Sequence, residues 1–103
     1  MIPFDKQLKR LAKKYRNIKE DLLNLERSLL SNPTQGVDLG NGIRKIRMQI
    51  CDKGRGKSHG VRIITYTTII DIEDGIITLL AIYDKEEQST ITKKEIQQLL
   101  AEL

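Results

Sequence analysis

The hydrophobic period of this chain changes once, and that change limits the folds open to it. Through the first third, apolar residues recur every three or four positions. Leu8, Leu11, Ala12 and Tyr15 follow i, i+3, i+4, i+7 spacing, and Ile18, Leu22, Leu25 and Leu29 repeat it one helix later. Asn17 between the two sets suits an N-cap, so the segment reads as a helical hairpin rather than one rod. Pro33 closes it. Leu23 and Leu30 widen the apolar stripe and are expected in the core, with cover by a partner over part of the stripe as the alternative. "PTQGVDLGNG" then reads as a loop from its Pro, Gly and Asn content.

Beyond that loop the period is two. In "IRKIRMQI", Ile46, Met48 and Ile50 share one face, and Lys45, Arg47 and Gln49 share the other. This is a strand with a buried side and a cationic side. Val61 to Ile70 is the next strand. Apolar residues fall on both of its parities, which implies burial on both faces or a bulge. "DIEDG" turns the chain, with Asp74-Gly75 as the hairpin signal. "IITLLAIY" is nearly all apolar, as expected of a strand in the middle of a sheet. A further stub of strand is expected at Ile2 to Phe4.

The end of the chain carries the sharpest local signal. Thr92 and Glu95 form a T-x-x-E capping box, and Ile91 and Ile96 stand at the hydrophobic-staple positions. Ile96, Leu99, Leu100 and Leu103 make the apolar stripe of a last helix. The 103 residues hold no internal repeat and no linker, which implies one domain with one core. Hairpin-linked strands with helices before and after give an α+β class: an N-terminal helical hairpin, a small antiparallel sheet and a C-terminal helix.

Charge is distributed unevenly. Residues 1–43 carry 8 basic and 5 acidic side chains, residues 44–62 carry 7 basic and only Asp52 acidic, and residues 71–103 carry 3 basic and 8 acidic. The positive field is thus concentrated in one strand and the loop after it, where it attracts phosphate polymers. A plain solvated basic face fits the same charges. The single cysteine, Cys51, cannot form an internal disulfide, in keeping with a reducing cytosol. No apolar run is long enough for a membrane span or signal peptide, so a cytoplasmic protein is expected.

The loop "CDKGRGKSHG" contains Gly56-Lys57-Ser58, the ending of a nucleotide-binding P-loop. The first glycine of that motif would fall at Cys51, and a β-branched strand follows where the motif needs a helix N-terminus. That reading fails. Ser58 beside His59 makes no nucleophilic relay, and nothing has metal-ligand spacing. What remains is cations: Lys45 and Arg47 on one strand face, Arg62 on the next strand if the two pair in register, and Lys85 past the third. Such a cluster can bind an RNA backbone. It can also promote attack of a 2′-OH on the adjacent phosphorus by stabilising the charge that develops. His59 is the one side chain whose ordinary pKa lies near neutrality, which qualifies it as a proton carrier. A bystander in a loop is the competing reading for His59.

Element order together with "LGNGIRKIRM", "KGRGKSHGVR" and "IYDKEEQSTITKKEI" resembles the RelE/ParE superfamily of toxins from bacterial type II toxin–antitoxin systems, in its RelE-like branch. The resemblance spans nearly the whole chain. It implies a small antiparallel sheet packed on helices, a cognate antitoxin protein that wraps the toxin, and cofactor-free, metal-independent endoribonuclease cleavage of mRNA on the ribosome. By the same resemblance the paired strand cations are Lys45 and Arg47, the arginine opening the next strand is Arg62, and the later basic residue is Lys85. Histidines in related ribonucleases add His59, and Lys53, Arg55 and Lys57 extend the RNA-binding field. The tyrosine that some members place near the last helix has no counterpart, since Ile91 stands in that region. Tyr83 is close in sequence but ends a strand, where a core role fits it as well. Two other functions stay open: a ParE-like toxin that inhibits DNA gyrase without chemistry of its own, and a non-catalytic RNA- or ribosome-binding protein. One fold hosts both toxin activities.

Overall fold

The computed structural model describes residues 4–50, 60–69 and 75–103. The opening pattern forms α1 (Phe4–Lys14) and α2 (Ile18–Ser31). Asn17 takes the N-cap position of α2, and its carbonyl accepts the Asp21 N–H at 3.0 Å. Phe4 opens α1 instead of ending a strand stub, because Phe4, Leu8 and Leu11 fall on one helical face and pack on the core together. Ile2 and Pro3 of that expected stub lie outside the described residues.

Four strands follow: β1 (Val37–Gly40), β2 (Ile43–Met48), β3 (Val61–Ile69) and β4 (Gly75–Asp84). They form one antiparallel sheet in the order β1-β2-β3-β4. The sheet therefore has one strand more than the period-two pattern gave. β1 lies inside the segment read as a loop. It is short, all four of its residues are exposed, and its turn into β2 runs through Gly40, Asn41 and Gly42 at φ 89°, 53° and 81°. Those backbone angles demand glycine or asparagine, so turn chemistry masked the strand beside it. Asp74 of the expected hairpin signal lies outside the described residues.

The last strand corrects a second expectation. β4 is an edge strand, not a central one. It is apolar because both of its faces are covered, by α1 on one side and by α3 (Lys93–Ala101) on the other. Ile46, Met48, Val61, Ile63 and Ile82 face the α1–α2 hairpin with Leu11, Ile18, Leu22, Leu25 and Leu29. Ile43, Ile64, Leu80 and Tyr83 face Ile91, Ile96 and Leu99 of the α3 segment. Each such fully buried aliphatic side chain contributes about 1.5–3 kcal/mol, so both layers matter to stability. The α3 start is fixed as its sequence requires: Thr92 Oγ1 accepts the Glu95 N–H at 3.1 Å, and Glu95 Oε1 accepts the Thr92 N–H at 3.2 Å. The helix stops at Ala101, leaving Leu103 exposed, and Leu23 and Leu30 also face outward. The α+β layout of hairpin, sheet and last helix is the one expected.

A bulge in β4 reverses which residues face which layer. Ile64 pairs with Ala81 and Thr65 pairs with Leu79, so Leu80 is the extra residue. Upstream of it, Ile77 and Leu79 pack toward the helical hairpin. Downstream, Ile82 takes that side and Tyr83 turns to α3. Among the described residues no helix is long and apolar enough to cross a membrane.

Candidate functional site

The cations on the α3 face of the sheet form a row. Arg47 pairs with Arg62 in the β2–β3 register, and Arg62 pairs with Tyr83 in the β3–β4 register. Directly paired residues present their side chains to the same face, so the three stand side by side across three strands. Lys45 lies two residues away on β2, in a parallel row with Ile64 and Ala81. The expected junction of Lys45, Arg47 and Arg62 on one face is therefore present.

Their environments differ. Arg47 is exposed and Lys45 half-buried, whereas Arg62 is only 2% exposed. Burial holds the Arg62 guanidinium below its ordinary pKa, repulsion from Arg47 lowers it further, and Tyr83 works the other way. An arginine remains cationic at neutral pH through any such shift. Arg62 is thus a charge fixed in a low-dielectric setting, where it acts more strongly on an anion than it would in water. Gly60 brings the strands this close, because a Cβ there would overlap the Met48 carbonyl oxygen.

Tyr83 is the site residue that the sequence did not assign. It is 1% exposed, and among the described residues its hydroxyl is a buried polar atom with no hydrogen-bond partner. Burial raises its pKa first; Glu95 on α3 adds to this and Arg62 opposes it. The phenol is therefore neutral at physiological pH. A buried hydroxyl without a partner costs about 1–3 kcal/mol. Alternation along β4 hides this residue, since only the Leu80 bulge turns it toward Arg62.

The remaining candidates separate. Lys85 is exposed, one residue past β4, and stands outside the row. Lys53, Arg55, Lys57 and His59 lie outside the described residues. Arg44 is held elsewhere: it donates to the Thr34 carbonyl at 2.6 Å and stands 3.8 Å from Asp38. On the opposite side of the sheet the Asp84 carboxylate is fully buried. It accepts from the Tyr15 hydroxyl at 2.6 Å and from Lys14 Nζ at 3.2 Å. Arg10 grips Glu87 through two bonds of 2.9 and 2.8 Å. These contacts tie α1 to the end of β4.

The row sets the exposed Arg47 beside the buried Arg62, with the Tyr83 phenol buried next to them and the half-buried Lys45 two residues away on β2. No family model matches the chain, and no solved structure matches it.

Proposed function

We propose that this chain is the toxin of a type II toxin–antitoxin module and cuts ribosome-bound mRNA without a metal ion. The observation that carries the reading is the Arg47–Arg62–Tyr83 row, with Lys45 beside it. The RelE-like sequence resemblance supplies the ribosome, the antitoxin and the cytoplasmic setting.

In this reading the 2′-OH of one nucleotide attacks the adjacent phosphorus, and the P–O5′ bond breaks. The products are a 2′,3′-cyclic phosphate and a free 5′-OH. Arg47 and Arg62 neutralise the phosphorane oxygens, and the buried Tyr83 packs beside Arg62 beneath them. Preorganised donors of this kind each lower a barrier by roughly 3–4 kcal/mol. Lys45 holds a flanking phosphate. The 2′-OH proton needs an acceptor and the leaving 5′-oxygen needs a donor; His59, the chain's single histidine, accepts the first, and solvent water supplies the second.

The test is brief induction of the chain in a bacterium, followed by mapping of mRNA 5′ ends. New 5′-OH ends within translated regions are expected, and they should vanish when Arg47 and Arg62 are both alanine. Cleavage at the wild-type rate in that double variant overturns the reading. A DNA-damage response without mRNA cuts replaces it with gyrase inhibition.

A further inference from the structure

The sheet has two edges, and the chain treats them differently. At β1 the edge is blunted: the strand is four residues long, carries Asp38 and shifts register between Asp38 and Gly40. Short, charged and irregular strands of this kind keep a sheet from adding another. The first half of β4 has none of these devices. Gly75–Leu79 holds no charge and no proline, and the bulge comes only at Leu80. From Leu80 to Asp84 the strand is buried and tied to α1 through Asp84, whereas Ile76 is 53% exposed.

The backbone groups of the open half point outward. The Thr67 N–H donates to the Gly42 carbonyl at 2.9 Å, so Thr67 turns its polar groups toward β2. Its partner on β4 is Ile77, which therefore stands in a pair that exchanges no hydrogen bonds. The N–H and C=O of Ile77 face away from the sheet, and those of Gly75 and Leu79 do the same by alternation. Among the described residues these groups have no partner. Beside them a groove of about 380 Å³ runs between β4 and α2, lined by Glu26, Leu29, Leu30, Gly75, Ile77 and Leu79.

Unpaired edge groups beside an apolar groove are met by an added strand, whose backbone bonds the edge while alternate side chains enter the groove. The open half of β4 has no charged side chain to select a foreign peptide, and Glu26 is the one charged residue in the groove. A second copy needs no such anchor. An antiparallel pair turned about a twofold axis at Ile77 sets Ile77 against the second copy's Ile77, and Gly75 against the second copy's Leu79. All of these residues face outward, so each pair exchanges both of its N–H···O bonds. Gly75 leaves room for the leucine opposite it. On the other face Ile76 meets the second copy's Thr78, and no like charges oppose each other. The cationic strand β2 lies two strands inward, clear of the contact.

We propose that two copies of this chain pair through the open half of β4 into one continuous, twofold-symmetric sheet. The proposal does not depend on the ribonuclease reading. Two measurements on the whole chain test it.

The first is sedimentation equilibrium at about 10–100 μM, a range that detects micromolar pairing. The wild type should reach twice the 11.8 kDa chain mass. Ile76→Lys/Thr78→Lys sets like charges against each other in this register and should raise the dissociation constant about tenfold or more. Ile76→Lys/Thr78→Glu sets opposite charges across the same contact and should pair within about threefold of the wild type. A monomer throughout the range, an assembly larger than two, pairing by the first variant as strong as the wild type's, or loss of pairing in both variants overturns the proposal.

The second is amide exchange of the wild type, which needs no variant to fold. Between about 1 and 100 μM the N–H groups of Ile77 and Leu79 should slow by roughly tenfold or more, because pairing alone protects them. Those of Ile76 and Thr78 already face β3 and should change less. A dimer in which Ile77 and Leu79 exchange as fast as in the dilute chain has another interface and overturns the proposal.

Discussion

Arg47 and Arg62 stand directly opposite each other on β2 and β3, two like charges in a position where neighbours normally attract. The repulsion is part of what lowers the Arg62 pKa. Like charges directly opposite each other cost stability, and the fold keeps this pair.

Arg47→Ala should therefore separate activity from stability. RNA cleavage should fall about 10²- to 10³-fold, as for loss of one preorganised charge donor. The melting temperature should hold or rise, because Arg47 is exposed and its loss relieves Arg62. Thermal unfolding beside single-turnover cleavage checks both. A melting temperature that drops by several degrees would mean that Arg47 is structural.

Tyr83→Phe removes a buried hydroxyl that has no partner among the described residues. The variant should be as stable as the parent or up to about 1 kcal/mol more stable in urea unfolding.

Gly60→Ala should act on register. The added methyl meets the Met48 carbonyl oxygen, a backbone atom that cannot swing aside. A cost of roughly 1–3 kcal/mol is expected from overpacking. Cleavage should fall as well, because the strands that hold Arg47 opposite Arg62 must move apart. Denaturant unfolding and amide exchange in β2 and β3 read the two effects.

The Arg10–Glu87 pair sets a pH dependence. Hydrogen bonding by Arg10 holds the Glu87 carboxyl below its usual 4.5. The unfolded chain regains the usual value, so the pair stabilises the fold above that pH and the gain fades as pH falls through the lower folded value. Both side chains are more than a third exposed, so the effect is at most about 1 kcal/mol. Glu87→Gln should melt earlier than the wild type at pH 7 and together with it at the acid end. Added salt should narrow the gap at pH 7.

What the sequence made legible was local. Thr92, Glu95, Ile91 and Ile96 lie within six residues of one another, so the start of α3 needed no tertiary information. Lys45 and Arg47 were placed together by simple alternation, and Arg62 joined them once the register was known. Tyr83 was hidden because a bulge breaks alternation without any mark in an all-apolar run. β1 was hidden because its flanking glycines and Asn41 speak for the turn. The apolar run of β4 reports that two faces are covered, which a strand between two helical layers achieves even at a sheet edge. Leu30 shows the converse, an apolar residue at helical spacing left 88% exposed at the rim of the α2 stripe.

The bulge leaves Tyr83 and Asp84 pointing to opposite sides of the sheet. Tyr83 is seated under α3, while Asp84 is held by Lys14 and Tyr15 at the end of α1. The two residues work as a bolt through the sheet, fastened at one head by Lys14 and Tyr15 about seventy positions earlier in the chain and at the other by the α3 segment. If β4 slid by one residue, a carboxylate would enter the apolar α3 layer and both fastenings would open together. The first and last helices are thus coupled through a single dipeptide, and loosening one of them loosens the grip on the other.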